Sequence, residues 1–478
     1  MSVNPFTSAW LSDDVESADR PQRGLSYVAG PTTEPLRYIT LGTMLDESVA
    51  RHAGRDAAYF AASGRRWSWY DLQSRADEVA TGLLALGLQR GDRVGIWAPT
   101  CEEWLGVQFG AARIGAILVP LNPGWGETEL GHALNTAQCR VLVLSRYIAS
   151  TDAVALLRGL APEIDRAWPD GKLRSERLPR LRYPVLIGEG VTPPGAMTFK
   201  ALRRLAGPAQ RNRLAGVSAT LDPDDAAVVQ FTSGGATESR GATLSHYGLV
   251  NNATFTASAM RLSARDRLCI AGPLHHWFGM GPGILACVAS GATMVFPAPA
   301  FDASRTLAAI GARQCTALHA TPTVLTSLLD HPEMRTTDLS HMRRGIVAGG
   351  PCSAQTFRRV AEQLHLAEIT VGYGKSETSP LAFQSSAMEP VALRAAGIGR
   401  VHPHAEAKVV DEHGRLVPVG QRGELCLRGY LTMRGYWNDA TATLAVIDAA
   451  GWLRTGDLAS LDHEGRLTIV GRVPAALR

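Results

Sequence analysis

Residues 231–246 read FTSGGATESRGATLSH. Glycines such as Gly234 let backbone N–H groups approach phosphate oxygens closely, while Thr232, Ser233 and Thr237 offer hydroxyl donors. Arg240 adds a positive charge. The stretch follows the apolar run AAVVQFT and precedes a helical pattern for which Ser245 is a suitable N-cap. Ligands in open α/β sheets bind at the carboxyl ends of strands, so the position suits a phosphate loop. Taken alone, the stretch also fits an ordinary Gly/Ser turn. Two nearby look-alikes fail. GYGKS at 372–376 ends like a Walker loop but has Ile369 at the first glycine position, and Glu377 stands where a dinucleotide fingerprint needs Gly. Ser233 lacks the G-x-S-x-G frame of a hydrolase nucleophile.

The elements around this loop must place it against other groups. DRVGIWAP, AILVPL and CRVLVLS read as buried strands, with TCEEWLGVQFGAARIG as a helix in which Trp104, Val107, Ala111 and Ile114 recur at helical spacing. After a polar, Pro- and Arg-rich stretch at 161–185, expected on the surface, the alternation resumes. AAVVQFT, RLCIAG, ATMVFP, CTALHA, RGIVAGG and EITVGYG read as strands separated by helices such as SAQTFRRVAEQLH. Near-continuous apolar strands between helices imply parallel sheets covered on both faces. From about residue 400, period-two alternation between turn residues implies a small antiparallel β unit. The expected fold class is α/β: two doubly wound α/β subdomains (1–220 and 221–396) plus a small β-barrel-like subdomain (397–478).

The whole chain restricts the partners. It has 478 residues, 45% hydrophobic and 19% charged, with a net charge of +4, which is too weak and diffuse to argue for nucleic acid. Only Lys172, Lys200, Lys375 and Lys408 are available to a mechanism that needs an amine. Seven scattered cysteines without a C-x-x-C pair argue against a disulfide framework or a zinc site and suit a reducing cytoplasm. No apolar run approaches the ~18 residues of a membrane span. The opening segment is expected to be neither a secretory signal nor a transit peptide.

The chemistry-bearing stretches recur in order: FTSGGATESRG, PLHHWFG (273–279), AGGPCS (348–353), GYGKSET (372–378), GIGRVHPHAEAKVVD (397–411), GELCLRG (423–429) and GWLRTGDLASLDHEGRLTIVGR (451–472). This series resembles the adenylate-forming, AMP-binding superfamily of acyl-CoA synthetases, firefly luciferase and peptide-synthetase adenylation domains. SYVAGP, LDPDDAAVVQFTSG, CTALHATPT and GYWNDATAT are most similar to the medium-chain fatty acid branch. The resemblance implies ATP-dependent activation of a fatty or related carboxylic acid to an acyl-AMP and then an acyl-CoA, with ATP, Mg²⁺ and CoA as cosubstrates. It implies that Thr232, Ser233 and Thr237 lie along the triphosphate, that Gly234 is part of the nucleotide-binding loop, that Arg240 serves catalysis by neutralising charge, and that Glu377 helps place Mg²⁺. Ser376 would contact the nucleotide, Tyr373 would lie against adenine, and Gly349 and Gly350 would let the base pack on bare backbone. Asp457 would accept the ribose hydroxyls, with Arg472 adding a contact, and His276 would face the substrate carboxylate beside Trp277 and Phe278. Lys375 is read as incidental, the alternative being a substitute amine. Outside the resemblance, Glu377 and Asp457 also fit solvated loop acids, and His276 and Trp277 fit packed core residues.

Two departures from the family pattern are visible. The loop is similar to T-S-G-[ST]-[ST]-G-x-P-K-G, but Gly235 and Ala236 replace hydroxyl positions, Thr237 replaces Gly, Ser239 replaces Pro and Arg240 replaces Lys. Two lost hydroxyls at ~1 kcal/mol each weaken phosphate ordering. The resemblance further implies a C-terminal domain carrying a catalytic lysine, beginning where Pro474 and Ala475 stand. The expectation is therefore an enzyme of this class impaired alone, either acting with a separately encoded C-terminal domain or standing as a truncated relic. The alternatives are a non-catalytic nucleotide or acyl binder and adenylation for a carrier protein.

Overall fold

The computed structural model describes residues 20–232 and 239–473. A seven-stranded sheet runs in the spatial order Met197–Thr198, Tyr183–Ile187, Val141–Ser145, Arg93–Trp97, Ile117–Pro120, Ala226–Phe231, Gly241–Ser245. All its neighbours are parallel except the final hairpin. A nine-stranded sheet runs Arg400–Val401, Leu381–Gln384, Glu368–Gly374, Arg344–Val347, Ala317–Ala320, Arg267–Ile270, Thr293–Phe296, Asp56–Phe60, Arg65–Ser68. Its centre is parallel and its edges antiparallel. The third sheet has five antiparallel strands: Tyr27–Ala29, Ala405–Val410, Gly423–Gly429, Leu453–Leu461 and Leu467–Arg472. This is the mixed α/β architecture expected from the alternating apolar runs.

The apolar periodicity accounts for the packing. In the helix Glu102–Arg113, Trp104, Val107 and Ala111 are buried, as is Ile114 at its C-cap. This helix packs on Trp69–Ala85 so closely that a Cβ at Gly110 would lie 2.8 Å from Val79. Removing a buried indole such as Trp104 costs ~3–5 kcal/mol. Ser245 caps the helix His246–Ala259, its side chain accepting from Gly248 N.

Two features differ from simple chain order. The expected surface segment 161–185 is corrected: Leu173, Leu178 and Leu181 are fully buried, and Tyr183–Ile187 is an inner strand with every residue buried. These leucines follow no helical or strand period among the prolines and arginines, so their burial leaves no periodic signal. The two large sheets also exchange strands across residue 220. The hairpin Asp56–Ser68 joins the nine-stranded sheet, and the hairpin Ala226–Ser245 joins the seven-stranded one. This exchange carries Thr232 and Arg240 to the junction of the sheets.

Candidate active site at the junction of the three sheets

Thr232 follows its strand at the carboxyl end, and its hydroxyl accepts from Arg240 N at 3.1 Å, which closes the base of the loop. Ser239 returns a hydrogen bond to the Thr232 carbonyl at 2.6 Å. Ser233, Gly234 and Thr237, expected on the phosphates, lie outside the described residues, as do Pro474 and Ala475. Arg240 is held by Asp439 at 3.4 Å and lies over the Tyr436 ring at 5.6 Å.

Glu377 follows the strand Glu368–Gly374. Its carboxylate accepts from Tyr436 Oη at 2.9 Å, and its carbonyl accepts from Met433 N at 2.9 Å. Residues 433–437 run beside the edge strand Gly241–Ser245, through Arg434 N to Thr243 O and Trp437 N to Gly241 O. That alignment aims Tyr436 at Glu377. Burial, then the Glu377 charge, raises the Tyr436 pKa, so the phenol stays protonated and donates. Ser376 is buried beside Glu377.

Asp457 lies in the strand Leu453–Leu461, on a turn whose Gly456 has φ +69°. Glu424 fixes the turn, accepting from Gly456 N at 3.1 Å and pairing with Arg454 at 2.5 Å. Three donors meet the Asp457 carboxylate: Tyr373 Oη at 2.6 Å, Lys375 Nζ at 3.3 Å and Arg472 Nη1 at 2.6 Å. Burial opposes the charged form, but the Lys375 ammonium, with Tyr373 and Arg472, outweighs it and holds the pKa below the ordinary carboxylate value. Lys375 Nζ also donates to the Thr455 carbonyl at 2.7 Å, strapping the nine-stranded sheet to the five-stranded one.

Thr232, Arg240, Lys375, Glu377, Tyr436 and Arg472 all line one cleft of ≈ 1290 Å³. Gly456 lines it beside Asp457. Among the described residues, six of those expected are not in this lining: Tyr373, Ser376 and Asp457, each next to or bonded to a lining residue, and His276, Gly349 and Gly350, which stand apart. His276, largely buried with its pKa lowered to about 4 by burial, is neutral near pH 7 and follows the strand Arg267–Ile270. Gln230 Nε2 ties the neighbouring His275 carbonyl to the loop-bearing strand at 3.0 Å. Gly349 and Gly350 are exposed after the strand Arg344–Val347. Gly349 has φ +83°, and a Cβ there would lie 4.0 Å from Phe278. Trp277 and Phe278 are buried, and Phe278 faces His319 with ring centroids 3.7 Å apart.

Lys375 and Tyr436 are the site residues that sequence reasoning missed. The signals were that Lys375 is one of four lysines and lies inside the GYGKSET stretch, and that Tyr436 lies inside GYWNDATAT. Among the described residues no cluster of three metal-ligating side chains occurs. Glu377 supplies a single carboxylate, which suits Mg²⁺ because this ion keeps waters and phosphates as its other ligands.

The AMP-binding enzyme family matches residues 45–437. An acyl-CoA ligase sidI of Aspergillus fumigatus is 38% identical over 452 residues, covering 94% of this chain and 75% of the relative. A mitochondrial medium-chain acyl-CoA ligase ACSF2 of Danio rerio is 36% identical over 456 residues, covering 95% and 75%. The crystal structure of the anthranilate CoA ligase AuaEII in complex with anthranoyl-AMP superposes with a TM-score of 0.79 at 24% identity, over 92% of this chain and 79% of that one. No described helix is long and apolar enough to cross a membrane. The chain belongs to the AMP-binding enzyme family, among AMP-forming acyl-CoA ligases.

Proposed function

We propose that the cleft binds Mg·ATP and a medium-chain carboxylic acid, joins them as an acyl-adenylate with release of pyrophosphate, and passes the acyl group to the thiol of CoA. The observation that carries this reading is the convergence of Thr232, Glu377 and the Asp457 turn on one cleft. A carboxylate attacking the α-phosphorus brings two anions together, so the site must offset their repulsion. Thr232 and Arg240 would stand on the polyphosphate side. Glu377 would hold Mg²⁺, which supplies charge neutralisation to the phosphoryl group. Asp457, ionised and fixed by three donors, keeps lone-pair capacity for a ribose hydroxyl. Tyr373 and Ser376 would flank the nucleotide, with Gly349 and Gly350 offering bare backbone to the base and Arg472 a ribose contact. His276, being neutral, would offer the attacking carboxylate a hydrogen bond without fixing it in an ion pair.

Arg240 already shares its charge with Asp439, which supports a weakened hold on the phosphates. The medium-chain preference is drawn from similarity to medium-chain acyl-CoA ligases such as ACSF2 of Danio rerio. Pyrophosphate release from Mg·ATP on addition of octanoate is the expected result. ATP binding without octanoate-dependent pyrophosphate release would replace this reading with that of a nucleotide binder.

A further inference from the structure

At the amino-terminal edge of the seven-stranded sheet, three neighbouring parallel strands each begin at or just after an arginine. Arg93 opens its strand, Arg140 immediately precedes Val141–Ser145, and Arg182 immediately precedes Tyr183–Ile187. The register Val94↔Val141 and Val141↔Tyr183 places all three on one rung. Like charges set side by side on adjacent strands repel. Lys172 and Arg180 join them from the loop ahead of the third strand. Together the five cations line a pocket of ≈ 270 Å³ in which Asp92 is the one carboxylate among the lining residues. Asp92 pairs with Arg140 at 2.7 Å. The nearby Asp170 pairs with Arg174 at 3.2 Å. Arg93 donates to the carbonyls of Gly91, Ala137 and Gln138, and Arg182 to those of Leu173 and Leu181. Asp170 also accepts from Lys172 N at 3.2 Å and lies within reach of the Lys172 charge. Burial lowers the Arg93 pKa, and the Arg180 guanidinium pushes it the same way.

We propose that this pocket binds the phosphoryl group of a small soluble phosphate compound. Guanidinium forks match phosphate oxygens in pairs, and an anion offsets the repulsion along the rung. The pocket also touches the wall of the large cleft. The Arg93 guanidinium lies over the Trp437 ring at 5.5 Å, and Trp437 lines that cleft. The proposal does not depend on what the cleft binds.

Equilibrium dialysis against radiolabelled inorganic phosphate, at ionic strength held constant with chloride, tests it on the full chain. The comparison is wild type against Lys172→Ala/Arg180→Ala, both substitutions lying on the loop and away from the cleft. The wild type is expected to bind phosphate at this site at least about tenfold more tightly than the variant, since each lost charged donor weakens binding by that order. Arg180→Lys is expected to retain binding. Equal phosphate binding by the wild type, the double variant and the single variant Arg180→Ala, all of unchanged thermal stability, overturns the proposal. Capture by phosphatidic acid vesicles with no binding of free phosphate overturns it as well.

Discussion

Tyr373, Lys375 and Arg472 converge on the Asp457 carboxylate from two different sheets. Its folded pKa is depressed, so the stabilisation it gives is complete above the ordinary carboxylate value and is lost as pH falls through the lower folded value. Lys375→Met removes the ammonium and lets burial raise that pKa. The variant is therefore predicted to unfold in acid at a higher midpoint than the wild type, followed by circular dichroism. An unchanged midpoint contradicts the charge assignment. AMP affinity in the same variant is predicted to fall about tenfold, the value of one charge-assisted hydrogen bond. Arg240→Ala is predicted to weaken ATP by about tenfold or more while leaving AMP nearly unchanged, because its charge stands on the polyphosphate side. Equal losses for both nucleotides, measured by calorimetry, would move Arg240 to the ribose end. Asp457 and Glu377 were legible in the sequence because each lies in a short ordered motif. Lys375 and Tyr436 were not, since their partners lie 80 and 59 residues away and only folding brings them together.

The elements that deliver these side chains leave little room for change. A Cβ on Gly374 would lie 1.9 Å from the Pro380 carbonyl oxygen, at the turn that carries Lys375, Ser376 and Glu377. Gly374→Ala is predicted to lower stability by ~1–3 kcal/mol through overpacking, read from the denaturant midpoint. A neutral result would mean that the turn can relax, and with it the placement of Glu377. The parallel strands could be read from their apolar runs, and the helix at His246–Ala259 from its Ser245 cap. The short strand Tyr27–Ala29 could not, because its place in the five-stranded sheet depends on pairing with Lys408, Ala407 and Glu406 far along the chain. The same holds for the hairpin Asp56–Ser68, whose sheet is fixed by contact with Thr293–Phe296 and by no local pattern.

Across the molecule, buried histidines set the response to acid. Burial lowers the pKa of His246, His275, His276 and His319 to about 4, and that of His402 to about 3. As pH falls from about 6.5, the ordinary histidine value, the unfolded chain takes up protons that the folded chain refuses, so stability falls with pH in that window. The melting temperature is predicted to drop continuously between pH 6.5 and 4.5, and a flat profile contradicts the burial of neutral imidazoles. The cleft at the junction of the three sheets is proposed to hold an acyl-adenylate. Calorimetry with octanoyl-sulfamoyl adenosine, a non-reactive mimic of the acyl-adenylate, tests it most directly. One equivalent is predicted to bind more tightly than AMP or octanoate alone, and Asp457→Ala is predicted to weaken that binding at least about tenfold with the fold intact. Absence of binding to the wild type, or binding unaltered by Asp457→Ala, would contradict the account.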